Sequence, residues 1–289
     1  MQKPTIIVSG KNGQLGNELQ DESALFPQFN YHFFGKDELD IGNSSTFEKI
    51  FKEYKPAYFI NAAAYTAVDK AETEHETAYL INAEATGNVS KFCNQYKTKL
   101  IHISTDYVFD GNGKEPYKEE DATSPVNYYG FSKWIGEQLA LENNEQTMVI
   151  RTSWVYSIYG NNFVKTMLRL MKDRKELNVV NDQVGSPTYA KDIAEAILQI
   201  IAESEGTKRF HAGIYHFSNE GVISWYDFAH AIREMKKLDC IVHPITTAQY
   251  PTPAKRPAYS VMSKEKICET FDIALKNWKG SLEECLSKL

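Results

Sequence analysis

The chain has 289 residues, 42% apolar, 24% charged and 12% aromatic, the composition of a globular protein with ample material for a core. Lys and Arg total 32 against 38 Asp and Glu, a net charge of −6 with no basic stretch, which disfavours a nucleic-acid partner. The first apolar run is too short for a signal peptide and none reaches the length of a membrane span, so no membrane partner is expected. Cys93, Cys240, Cys268 and Cys285 are widely spaced, with no Cys-x-x-Cys pair. They predict reduced thiols in a cytoplasmic protein rather than a disulfide framework or zinc ribbon.

Short β-branched or aromatic runs alternate with longer amphipathic ones. Thr5 to Ser9, Tyr31 to Phe34, Ala57 to Ala62, Lys99 to Ser104 and Thr147 to Thr152 predict buried strands. Between them, Ser45 to Tyr54 (opened by a Ser45/Glu48 capping box), His75 to Tyr96 and Tyr129 to Asn143 predict helices. Strands separated by helices of this length imply right-handed crossovers, hence an α/β, doubly wound parallel sheet. After Ser153 the pattern gives a helix over Asn161 to Lys172, a strand over Leu177 to Asn181 and a helix over Ala190 to Glu203. A strand over Ile214 to Phe217 follows, then a helix opening with Ser224 and Asp227, then a loop carrying Pro251, Pro253 and Pro257.

Directly after the first strand comes Gly10-Lys11-Asn12-Gly13-Gln14-Leu15-Gly16, followed by helix-compatible residues. Glycines there permit a tight turn and close backbone approach, and the N–H groups of the helix start then face a pyrophosphate. A glycine-rich turn that binds nothing is the alternative. Residues 1–154 are accordingly expected to form a Rossmann-type dinucleotide-binding domain, with about 177–203 returning to it. The remainder of 155–289 is expected to form mainly a smaller, mixed α/β substrate-binding domain over the sheet's carboxyl edge. An acid at the end of the second strand usually binds the adenosine ribose, but Gly35-Lys36 stands there. Lys36 and Lys11 could pair with a 2′-phosphate, which favours NADPH with NADH still allowed; a merely solvated Lys36 is the alternative.

Tyr129-Gly130-Phe131-Ser132-Lys133 puts Tyr129 and Lys133 at i and i+4 on one helix face, the single such pair among 17 tyrosines. It follows the strand ending Ser104-Thr105-Asp106. An ammonium about 5 Å from a phenol, at an effective dielectric of about 20, favours the phenolate by about 3 kcal/mol, or about two pKa units. Such a phenol is suited to protonating a carbonyl oxygen as hydride arrives at its carbon, with Thr105 donating to the same oxygen. An aromatic and a lysine on an ordinary amphipathic helix would be the bland alternative.

With these residues in view, the chain resembles the extended short-chain dehydrogenase/reductase superfamily and, within it, the dTDP-4-dehydrorhamnose reductase family. The motifs that carry the resemblance are Gly10 to Gly16, Asn61 to Glu72, Ser104 to Phe109, Tyr129 to Lys133, Arg151 to Tyr156, Gly160 to Phe163, Asn181 to Thr188 and Tyr250 to Pro257. The resemblance implies reduction of the 4-keto group of dTDP-4-dehydro-β-L-rhamnose to dTDP-L-rhamnose, with Thr105, Tyr129 and Lys133 as catalytic residues. It implies that Lys133 also binds the nicotinamide ribose, that Ala62, Ala63 and Ala64 line the cofactor groove, and that Asp40 and Ile41 lie near the adenine. Thr66, Val68, Tyr107 and Trp154 match positions facing the sugar nucleotide, with Asp106 beside them; Trp154 could instead be a core aromatic. Asn161 and Asn162 would serve the diphosphate or cap a helix, and Arg256 would bind the diphosphate or form a salt bridge. Some relatives bind Mg2+ through carboxylates near the C-terminus, with Glu283 and Glu284 as counterparts or as a solvated helix face; seven histidines offer no compact ligand set. A homodimer is allowed. The other readings are a nucleotide-sugar epimerase, a 4,6-dehydratase (disfavoured because Tyr107, not Glu, follows Thr105-Asp106) and a non-catalytic, reductase-like regulatory subunit.

Overall fold

The computed structural model describes residues 3–43 and 45–289. Five strands of the first half are β1 (Thr5–Ser9), β2 (Asn30–Phe34), β3 (Tyr58–Asn61), β4 (Lys99–Thr105) and β5 (Thr147–Thr152). The helices among them are α1 (Gln14–Glu22), α2 (Ser45–Tyr54), α3 (Val68–Ala71), α4 (His75–Tyr79), α5 (Ala85–Gln95) and α6 (Tyr128–Asn143). A π-helical turn, Leu80–Glu84, joins α4 to α5. At the start of α2 the Ser45 hydroxyl donates to the Asn43 side chain at 2.8 Å, and Glu48 pairs with Lys52 at 2.6 Å. Asn43 and an i,i+4 ion pair thus stand where a Ser45/Glu48 capping box was expected.

The second half continues with β6 (Val155–Tyr156), α7 (Phe163–Asp173), β7 (Glu176–Val180), β8 (Val184–Gly185), β9 (Thr188–Tyr189) and α8 (Ala190–Thr207). Then come β10 (Gly213–Phe217), β11 (Ile223–Ser224), α9 (Trp225–Met235), β12 (Ile241–Ile245), α10 (Glu265–Phe271) and α11 (Trp278–Ser287). Among the described residues no helix is long and apolar enough to cross a membrane.

Among the described residues the main sheet has six strands in the order β2-β1-β3-β4-β5-β10, every neighbouring pair parallel. This is a Rossmann-type doubly wound sheet, and its order reverses between β1 and β3, the switch point where such sheets bind ligands at their carboxyl ends. Burial on both faces explains the unbroken apolar runs. Ile6 and Val8 point into one core with Leu19 of α1 and Ile193 and Ile197 of α8, while Ile7 points into the other with Phe47, Phe51 and Val89. A third core is built by α7, β7, β12, α9 and α11 around Met167, Leu177, Phe228, Val242 and Leu282. Strand β7, inside the 177–203 stretch, pairs with β12 apart from the main sheet, whereas α8 packs on α1 and β10 adds the sheet's far edge. Periodicity reports that a strand is buried, not which strand it pairs with.

One buried ion pair anchors α6. Arg151 of β5, 1% exposed, donates through Nε and Nη2 to the Glu137 carboxylate at 3.0 and 2.8 Å, and Glu137 is fully buried. Removing one partner strands the other charge in a dry interior. Glu137→Leu is therefore expected to cost about 3–5 kcal/mol in urea unfolding, and the double replacement Glu137→Leu with Arg151→Met to recover most of that loss.

Candidate active site

A cleft of roughly 800 Å³ opens at the carboxyl ends of β1, β3, β4 and β5. The loop after β1 enters it through Gly10, whose φ is +81° and whose Cβ, if present, would lie 2.8 Å from the Ala62 carbonyl carbon. A Cβ on Gly16 would meet the Gly10 carbonyl oxygen at 2.1 Å, so glycine lets α1 start against its own loop. Gly13 caps α1 without any side-chain hydrogen bond. The first N–H groups of α1 thus stand at a cleft lined here by Gly10, Asn12, Gly13, Gln14 and Leu15. Backbone donors and the positive end of a helix dipole suit a pyrophosphate. Gly16 and Lys11 lie outside that lining.

At the adenosine end the lining continues through Gly35, Lys36, Leu39, Asp40 and Ile41. Lys36 is exposed, and Asp40 accepts the Gly42 N–H at 3.0 Å. Lys11 turns to Glu38 at 2.5 Å, and Glu38 also accepts the Gly35 N–H at 2.9 Å. These bonds, the lysine's first, hold the Glu38 carboxyl below its ordinary range. Glu38 lies four residues beyond β2 and outside the cleft lining, and the Gly35-x-x-Glu38 spacing lets its carboxylate close a turn on the glycine N–H.

Ala62, Ala63 and Ala64 line the middle of the cleft, and Thr66 and Val68 extend its edge. Asn82 of the π-helical turn accepts the Tyr65 N–H at 2.9 Å and donates to Ser132 Oγ at 3.0 Å, tying this edge to α6. Helix α6 begins at Asn127, whose side chain accepts the Gly130 N–H at 2.8 Å. Its first turns bring Tyr129 and Lys133 to the cleft opposite Thr105 at the end of β4. Tyr129 is 9% exposed and Lys133 is 2% exposed. Lys133 Nζ donates to the Ile103 carbonyl at 2.6 Å and stands 3.3 Å from His102 Nε2.

Burial pulls the Lys133 ammonium down to about 8, with Glu137 opposing. Burial also pushes the Tyr129 phenol up from its ordinary value, against the lowering pull of the Thr105 hydroxyl. The expectation of a phenol depressed by its neighbouring lysine is corrected here. Desolvation dominates, and the lysine directs its hydrogen bonds at Ile103 and His102. Thr105 donates its one hydroxyl proton to Asp106 Oδ1 at 3.0 Å and accepts the Tyr107 N–H at 3.2 Å. Burial lifts the Asp106 carboxyl to about 6, although Ser260 and Thr105 pull it down.

On the open side, Tyr107 packs edge-on against Tyr129 with ring centres 5.6 Å apart. Trp154 lines the cleft with φ +50° and stacks on Trp225 at 3.6 Å. Asn161 lines the cleft, but Asn162 does not: it caps α7 by accepting the Lys165 N–H at 3.1 Å and donates to Gln14 at 2.9 Å. Arg256 donates to Asp69 at 2.7 Å and to the Tyr107 hydroxyl at 3.2 Å, outside the lining. Ile81, Ile103, Ser104, Thr152, Val155, Gly160 and Ile193 complete the lining without having been singled out from sequence. They are apolar or small residues placed there by packing; Ser104, Thr152, Val155 and Gly160 fall within motifs quoted above, whereas Ile81, Ile103 and Ile193 lie in none.

The C-terminal carboxylates do not fit a magnesium ion. Lys191 sits on Glu284 at 2.6 Å and on Glu195 at 3.2 Å, so an ammonium already neutralises them. Glu283 is exposed, and among the described residues no group of three or more candidate ligands could hold a metal.

The family described as the RmlD substrate binding domain matches residues 4–289. A dTDP-4-dehydrorhamnose reductase of Aggregatibacter actinomycetemcomitans is 43% identical, over 96% of this chain and 97% of its own length. A crystal structure of a dTDP-4-dehydrorhamnose reductase from Clostridium acetobutylicum superposes with a TM-score of 0.92 at 41% identity, covering 98% of this chain and 99% of that one. The Bacillus anthracis dTDP-4-dehydrorhamnose reductase in complex with NADP superposes with a TM-score of 0.93 at 38% identity over 100% of both chains.

Asp106 supplies a stability test of this geometry. Its folded-state value lies above the unfolded one, so its contribution is present at low pH and lost as pH rises through about 6. Stability of the parent is expected to fall by up to about 3 kcal/mol between about pH 4 and about pH 6 from this group, and Asp106→Asn to remove that slope in denaturant unfolding.

Proposed function

The chain belongs to the dTDP-4-dehydrorhamnose reductase family, and from that premise we propose that it reduces the 4-keto group of dTDP-4-dehydro-β-L-rhamnose to dTDP-L-rhamnose. The observation that carries the proposal is the meeting of Tyr129, Thr105 and Lys133 with the glycine loop and Ala62 to Ala64 on one cleft. The protein is an oxidoreductase, and NADPH is the reductant: the bound cofactor supplies hydride to the carbonyl carbon. The loop's N–H groups and the start of α1 would hold its pyrophosphate, and the Gly35 to Ile41 edge its adenosine. Lys36 is the exposed cation at that edge; Lys11 would reach a 2′-phosphate only by leaving Glu38.

Tyr129 donates its proton to the substrate oxygen as charge develops there. Lys133, held at Ile103, orients the nicotinamide ribose and offsets the negative charge left on the phenol. Thr105 serves the same oxygen by turning its hydroxyl proton away from Asp106. Thr66, Val68, Tyr107, Trp154 and Asn161 contact the sugar nucleotide. Arg256 acts through Asp69 and Tyr107 on the shape of that wall, and Asn162 through Gln14. Residues 1–154 with α8 and β10 form the cofactor domain, and the core around Phe228 and Leu282 forms the substrate domain. The free thiols of Cys93, Cys240, Cys268 and Cys285 support a cytoplasmic setting.

Oxidation of NADPH in the presence of dTDP-4-dehydrorhamnose, with dTDP-L-rhamnose identified as product, is the direct test; a flat trace would overturn the proposal. Tyr129→Phe is expected to leave the NADPH dissociation constant within about twofold while lowering kcat at least about 100-fold. Because Lys133 titrates near 8, kcat/KM is expected to fall on the alkaline side with an apparent pKa near that value, as the ammonium loses its charge.

A further inference from the structure

Under the cleft runs a file of buried polar groups for which the reaction as described has no use. Ser9 ends β1 directly before Gly10, Asn61 ends β3 directly before Ala62, and His102 of β4 lies in register with Asn61. Ser9 Oγ donates to Asn61 Oδ1 at 2.9 Å, and Asn61 Nδ2 lies 3.2 Å from His102 Nδ1. His102 Nε2 lies 3.3 Å from Lys133 Nζ, which donates to the Ile103 carbonyl at 2.6 Å. Ser9, Asn61 and His102 are fully buried.

We propose that His102 is a positioning residue for the reduction: through Asn61 and Ser9 it registers Lys133 with the glycine loop, and its Nε2 accepts a hydrogen bond from the ammonium. The proposal deepens the reductase reading and rests on it. A buried imidazole is costly unless both nitrogens have partners, and here both do. Burial, with Lys133 adding to it, holds His102 far below its ordinary range, so the ring is neutral and one nitrogen always keeps a lone pair. With Lys133 charged, Nζ–H donates to Nε2 and Nδ1–H donates to Asn61 Oδ1, which requires the Asn61 amide to turn over from the orientation given above so that its Nδ2–H donates to Ser9 Oγ. With Lys133 neutral the file runs in reverse, Ser9 to Asn61 to His102 to Nζ, and every group is again satisfied.

The titratable groups acting on the ammonium are His102 from β4 and Glu137 from α6, while Asp106 at the end of β4 and Tyr129 of α6 line the same cleft. Arg151 of β5 acts through Glu137, while β1 and β3 contribute the neutral Ser9 and Asn61. His102 is the group among these whose lone pair lies closest to Nζ apart from the Ile103 carbonyl.

His102→Leu and His102→Gln would be compared with the parent for NADPH dissociation constant, followed by nicotinamide fluorescence, and for kcat/KM against pH. His102→Leu is expected to weaken NADPH binding about fivefold, lower kcat about 10- to 100-fold and move the alkaline limb about one unit towards acid, since an ammonium with one acceptor fewer loses its proton more readily. His102→Gln, whose side-chain carbonyl can take the hydrogen bond, is expected to restore the limb to within about 0.3 unit and kcat to within about threefold. A folded His102→Leu variant with an unmoved limb overturns the proposal, as does a glutamine variant no better than the leucine one. Should His102→Leu fail to fold by circular dichroism, Ser9→Ala takes its place: a smaller shift in the same direction supports the relay and an unmoved limb overturns it. Absence of reductase activity in the parent would sink the reductase reading alone, because the NADPH-binding comparison still judges the relay.

Discussion

A lysine ammonium at 2% exposure, held between a helix and the ends of parallel strands, is the constraint around which the cleft is organised. A charge in that position is tolerated only where its donors are matched by acceptors, and the Ile103 carbonyl and His102 supply two. For the match to hold, α6 must sit at one height on the sheet. Three features set that height: the Asn127 cap at the start of the helix, the Asn82 to Ser132 bond and the Glu137–Arg151 pair. The last is the deepest, since a stranded guanidinium would be worse than a shifted helix. The Glu137 carboxylate of that ion pair and the Lys133 amine lie one helical turn apart.

Burial acts oppositely on the two ends of the Tyr129–Lys133 pair. It raises the phenol and lowers the amine, so at neutral pH the tyrosine keeps its proton while the lysine keeps its charge by a narrow margin. In the proposed reduction, a phenol that stays protonated is ready to deliver the proton that the substrate oxygen needs. The reverse reaction would need the phenolate at the outset, which the same dry surroundings oppose. Desolvation thus sets the protonation state of the phenol at neutral pH, a property that spacing on a helix cannot reveal.

Much of this was legible in the sequence where a requirement is local. Alternation such as Ile6 against Ile7 reports burial on two faces, and the Tyr129–Lys133 interval reports a shared helix face. The Gly10 to Gly16 loop could be read because each glycine answers a close approach of backbone to backbone. Partners distant in sequence left no such mark. Lys11 found Glu38 rather than an open field, Arg256 found Asp69 across 187 positions, and β7 found β12 instead of the main sheet. In the sequence His102 is one of seven histidines without a ligand set, because its neighbours Asn61 and Lys133 are contributed by other elements.

The wall of the cleft that carries Trp154 is likewise set by partners distant in sequence. Trp154 holds φ at +50°, a conformation that costs a bulky residue of order 1–3 kcal/mol and persists only when its surroundings dictate it. They do: its ring stacks on Trp225 at 3.6 Å, and at Gly185 a side chain would collide with it at 2.7 Å. Trp225 opens α9, whose Phe228 and Ile232 belong to the third core, so the indole is carried by that core rather than by the sheet. The short strand β9 and helix α8 then run without a break from that core into the one beneath the sheet, through Tyr189 and Ile193. Through this element the core that carries the indole is continuous with the core beneath the sheet, so the cleft that Trp154 and Tyr129 both line is built by two halves of the chain.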